Sequence, residues 1–207
     1  RPGATAGGTV PHRCRRRERG IEQCHAAQRK YELGEMRRTP GPVRRGRQRV
    51  HERGGDGQTP LHFAESVAVV DMLLTAGADI DARDVDHRAT PAQWMLGRTR
   101  GDGRYELARY LVERGATADI FLATALGLTS RVRAMLHADP SLLDLRTGRG
   151  DYGEKPPSSY HIYFWTIGDT RSPMDVAAQY EQRAVLDVMR DVASPLQRLL
   201  FAARSGD

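Results

Sequence analysis

"TPLHFAESVAVVDMLLTAGADIDARD", residues 59–84, decides how the chain is read. Thr59 has the side chain of a helix N-cap, and Pro60 stands at a first helical position, where its missing N–H is no loss. Val69, Val70, Leu73 and Leu74 recur at helical spacing and form a stripe to be buried. Gly77 then ends this second helix in a left-handed cap, and "ADIDARD" continues as an extended finger. Two short helices and a finger cannot bury their apolar face alone, so the unit predicts neighbours of its own kind.

Such neighbours follow. "TPAQWM" at 90–95 leads into "YELARYLVERGATADI". "DIFLATALGLTSRVRAMLHADPSLLDLR" from Asp119 and "SPMDVAAQYEQRAVLDVMRDVASP" from Ser172 repeat the two-part pattern in weaker form. "LQRLLFAARSGD" starts a fifth copy. The T-P-L-H opening, the V-x-x-x-L-L-x-x-G-A-D close and the return to T-P resemble the ankyrin repeat over roughly residues 55–207. The resemblance implies an all-α solenoid of stacked helix-turn-helix units with finger loops or hairpins. Repeats are expected at about 55–84, 85–117, 118–147 and 169–195, with a partial one at 196–207. Together they make a domain over 54–207, behind a basic, disordered leader over 1–53.

Departures from the period carry information. The Thr-to-Gly distance is 18 residues in the first copy (59 to 77) and 25 in the second (90 to 115). The first helix pair is therefore short, and the second holds the loop "GRTRGDG" at 97–103. Copies three and four start 54 residues apart (118 and 172), which places an insertion at about 148–168. It contains four of the chain's 13 aromatics in six residues: Tyr160, Tyr163, Phe164 and Trp165. "YHIYFWTI" is aromatic and β-branched, so an extended strand is expected there, with apolar side chains on both faces. Two readings stand open. The rings fold back over the stack, because native chains rarely leave them in water, or one face docks a partner protein.

Residues 1–53 hold 15 of the 32 basic side chains and 5 of the 26 acidic ones, a net +10, leaving −4 for the rest. The leader could grip phosphates by charge, but it has one aromatic, Tyr31, and no nucleic-acid-binding motif, so nucleic acid is not an expected partner. A solvated tail and a segment foreign to the natural protein are the other readings of it. Arg outnumbers Lys by 30 to 2, which suggests GC-rich coding and a bacterial source. With two cysteines, both in the leader, and no apolar run of membrane length, a cytoplasmic location is expected.

The resemblance implies a concave face built from finger tips and first helices. Carried onto this sequence, its contact positions fall on Asp86, His87 and Arg88 at one finger tip, and on Gln179 and Tyr180 in the fourth copy. The third-copy equivalents are Ala125 and Leu126. With Tyr160, Tyr163, Phe164 and Trp165 they complete the expected partner-binding set. Phe63, Trp94, Leu122, Val176 and Phe201 form a row read as core. Asp84, Asp86 and His87 look like an acid–base cluster but fall where short polar residues serve a turn. His12, Cys14, Cys24 and His25 lack zinc-site spacing, and the "RGD" at 100–102 is too short to carry meaning. No catalytic motif is present, so no catalytic, cofactor or metal residue is expected, and no cofactor. The expected function is a scaffold for an unknown protein partner. The alternative is an accessory module of a larger enzyme or nucleic-acid-binding protein, whose leader contacts nucleic acid. The sequence does not set an oligomeric state.

Overall fold

The computed structural model describes residues 49–101, 104–148 and 160–205. The leader through residue 48, with His12, Cys14, Cys24 and His25, lies outside the described residues, as do Asp102 and 149–159. The described residues all lie in one compact unit. Its described part holds helices and no strand: α1 (Val67–Thr75), α2 (Pro91–Trp94), α3 (Tyr105–Glu113), α4 (Ile120–Ala125), α5 (Thr129–Ala138), α6 (Ile162–Thr166), α7 (Pro173–Gln179), α8 (Arg183–Val192) and α9 (Pro195–Ser205). Two 3₁₀ turns, Pro60–Phe63 and Pro140–Asp144, complete it.

Each first helix opens on a short polar side chain that satisfies a free backbone donor. Thr90 accepts from Gln93 N–H while the Gln93 side chain accepts from Thr90 N–H at 2.8 Å. Ser172 and Asp175 form the same reciprocal pair, and Asp119 accepts from Leu122 N–H at 2.8 Å. Ser194 and Gln197 repeat it ahead of α9, so the fifth copy opens on "SPLQ", two residues earlier than expected. At Thr59 the partner is a histidine, whose Nδ1 accepts from Thr59 N–H at 3.0 Å. This copy's first helix is only the four-residue 3₁₀ turn, which is the shortening that the 18-residue spacing implied.

The helices stack in two rows. The 3₁₀ turn at 60–63 packs on α2, α4 on α7 and α7 on α9 along the first row. In the second row α1 packs on α3 and α5 on α8. Leu73, Leu111 and Val188 share one apolar cluster that runs from Val50 to Phe201, with Met135 packed against it. Of the row read as core, Leu122 and Val176 are fully buried and Phe201 nearly so, while Phe63 and Trp94 are half-buried. Val50 is buried in that cluster, and Arg53 reaches the Gly57 carbonyl at 2.6 Å, so the folded body takes in residues ahead of 54.

The insertion corrects the expected strand. Residues 162–166 form helix α6, packed on α2. A strand would have split the apolar side chains between two faces. The helix instead gathers Ile162, Tyr163, Thr166 and Ile167 on one buried side and leaves Phe164 and Trp165 half-buried. The base of the insertion is closed by Thr147, which accepts from Thr170 N–H at 3.1 Å and donates to the Arg171 carbonyl at 3.0 Å.

The described part of the long second-copy loop also has a structural task. The Tyr180 hydroxyl donates to the Gly97 carbonyl, and Gln179 donates to the Arg98 carbonyl at 2.6 Å. The Tyr105 and Tyr180 rings stack with centroids 6.1 Å apart. The extra residues let the second copy reach the fourth, past the third.

Candidate functional site

The finger at 84–89 and the inserted helix meet beside α2. The finger is shaped by Asp84, a carboxylate 1% exposed. Its Oδ1 accepts from the N–H groups of His87 and Ala89, each at 3.0 Å, and its Oδ2 from Trp94 Nε1 at 2.6 Å. Asp84 thus has both oxygens taken up by the turn and the indole. The tip that it holds presents Asp86 and Arg88 to solvent, and Arg88 adopts a left-handed φ of 53°.

His87 is the hinge of this site. Its ring lies 5.2 Å from those of Trp94 and His161 and 6.4 Å from that of Trp165. The two imidazoles meet directly, Nδ1 to Nδ1, at 3.2 Å. Burial and then the neighbouring His87 push the His161 pKa down, against the weaker pull of Asp84. Beside the tip, burial followed by Asp86 pushes the Asp56 carboxyl up. Phe164 packs edge-on against Trp165 at 5.0 Å, extending the aromatic surface away from the finger.

Beneath the site lies a buried polar network. The Tyr163 hydroxyl donates to the Asp119 carboxylate at 2.8 Å, and the Gln93 amide donates to the same carboxylate at 2.9 Å. Burial, and then Asp119, raise the Tyr163 pKa well above 10, so the phenol stays neutral and donating. Tyr160 packs edge-on to Phe121 at 5.3 Å, and its pKa is pushed up to about 12, mainly by burial.

The expected contact set therefore divides. Asp86, His87, Arg88, Phe164 and Trp165 share one edge of the molecule, and Tyr160 is half-buried at the start of the insertion. Tyr163 and Tyr180 are 0% exposed, which removes both from any contact surface. Gln179 spends its amide on the carbonyls of Arg98 and Ile167, at 2.6 and 3.0 Å. Ala125 and Leu126 are buried as well. At Gln179 and Tyr180 the long loop and the end of the insertion cover first-helix positions that a regular stack would leave open. His161 and Trp94 were missed as site residues. His161 stands 74 positions from the partner it meets, and no local pattern marks that encounter.

Paired helices, repeated N-caps and projecting fingers define a solenoid repeat protein. Residues 56–85 match the family model of the ankyrin repeat, so the chain contains an ankyrin repeat. No curated protein matches the chain. The repeat is a protein-interaction module, and among the described residues no helix is long and apolar enough to cross a membrane.

Proposed function

We propose that this solenoid binds a protein partner at the edge formed by the 84–89 finger and α6. The contact surface centres on Asp86 and Arg88 and on the half-buried rings of His87, Trp94, Phe164 and Trp165. The packing of His87 among Trp94, His161 and Trp165 carries this reading, because it sets rigid aromatic area beside exposed opposite charges. Aromatic and Arg side chains supply most of the energy in protein interfaces, and a rigid support lowers the ordering cost of binding. The protein acts through this surface with no chemistry of its own, in the cytoplasm, on an unidentified protein.

Affinity capture from lysate of the source cells tests the reading, using wild type, Arg88→Glu and Trp165→Ala, each checked for unchanged helical circular dichroism. Proteins held by wild type and lost from both variants support it. Retention of the same proteins by both variants overturns it.

A further inference from the structure

The contact between His87 and His161 has a chemical consequence of its own. Two neutral imidazoles can join Nδ1 to Nδ1 only when one ring brings a hydrogen and the other a lone pair. At 3.2 Å there is room for one proton between them. A first added proton leaves a cation donating to a neutral ring, and the bond survives. A second puts N–H against N–H and two positive charges in contact, and the pair must separate. The two protonations are coupled, so they belong to the pair and not to either ring.

What the pair joins is also defined. His87 sits on the finger, and His161 stands immediately ahead of α6, so this bond fastens the inserted helix to the first finger of the stack. The fastening is partial by construction. Trp165 Nε1 is buried with no hydrogen-bond acceptor, so α6 leaves one donor unsatisfied when docked. Among the described residues no group of three or more His, Cys, Asp or Glu side chains is placed to bind a metal ion.

We propose that His87 and His161 form a proton-operated latch that holds α6 on the finger at neutral pH and releases it in mild acid. The charged groups that act on the pair are Asp84, on His161, and Asp56, on His87, while the Tyr160 phenol next to His161 in the chain faces Phe121 instead. Asp84 favours charge on His161, but less strongly than burial and His87 oppose it. The Tyr160 hydroxyl, with its pKa near 12, stays neutral throughout the window. For a base whose folded pKa is lowered, the open state takes up protons first. The docked state is therefore favoured above the ordinary value of 6.5 and lost as pH falls through the lowered one. The latch acts within the chain, whether or not a partner docks beside it.

Hydrogen exchange of the 160–168 amides between pH 7.5 and 5.0, with intrinsic rates divided out, reads the latch directly. The expected result is a loss of protection as the pH falls below the ordinary imidazole value of 6.5, by roughly tenfold per pH unit for each proton taken up, while α4 and α5 stay protected. His161→Gln and His87→Gln keep a polar side chain that does not titrate, so in both the transition should vanish. Either variant carries the test if the other fails to fold. A flat wild-type profile overturns the proposal, as does a transition that persists in a folded variant. Parallel loss of protection in α4 and α5 overturns it too, since global acid unfolding would then be the cause. The buried His62, whose pKa burial lowers, is the natural source of that global effect.

Discussion

Tyr163 shows how one hydroxyl settles the placement of an insertion. Its ring is fully buried, and its phenol meets both oxygens of Asp119, at 2.9 and 2.8 Å. Asp119 is itself 5% exposed and caps α4 through Leu122 N–H, so its carboxylate depends on protein donors to replace water. Tyr163→Phe keeps the ring and removes one of those donors. A hydrogen bond to a charged group contributes about 1.5–3 kcal/mol, and chemical denaturation should show a loss near 2 kcal/mol for this variant. An unchanged denaturation midpoint would mean that water or Gln93 takes over the missing bond. The sequence drew attention to Tyr163 through its crowding with other rings, and left a ring folded back on the stack and a partner contact both open. The residue that decides the matter, Asp119, lies 44 positions away.

At the scale of elements, the helix ends follow local chemistry closely. Gly77 and Gly115, at φ of 95° and 107°, each end a second helix with paired bonds back into its last turn. A Cβ added at Gly115 would touch nothing within 4 Å, so the whole effect of Gly115→Ala comes from the left-handed backbone. That conformation costs an L-residue about 1–2 kcal/mol, offset slightly by a stiffer unfolded chain. The expected loss is about 1 kcal/mol, read as a lower thermal midpoint with helix content intact. Glu181 takes the same turn at φ 56° between α7 and α8, where Gly127 serves between α4 and α5. This contrast shows what was legible. Caps, glycines and the apolar stripe are set within four or five residues, and they gave the repeat and the short first helix. The secondary structure of the insertion was not legible, because its aromatic, β-branched composition favours a strand when solvent is the only neighbour. Packing against α2 and the bond to Asp119 reverse that preference. The covering of Gln179 and Tyr180 was hidden for a related reason, since the loop that reaches them is encoded some 80 positions earlier.

For the molecule as a whole, those long-range ties change how stability is shared. A plain solenoid is close to a one-dimensional chain, in which each unit feels only its neighbours. Here the second copy also grips the fourth, through Tyr180 to Gly97, Gln179 to Arg98 and the stacked Tyr105 and Tyr180 rings. A defect in the second copy should then weaken the fourth without passing through the third. Leu111, fully buried in α3, supplies the defect: Leu→Ala at such a site costs about 2–5 kcal/mol. Hydrogen exchange of α8 supplies the readout, with and without the ties, in a double-mutant cycle. In the natural chain Leu111→Ala should speed exchange across α8. In the Gln179→Ala, Tyr180→Phe background α8 begins less protected, and the further effect of Leu111→Ala should shrink by about 1 kcal/mol, or roughly fivefold in rate. Equal increments in the two backgrounds would show that the coupling runs through the third copy instead, and that the long loop adds local stability without linking distant units.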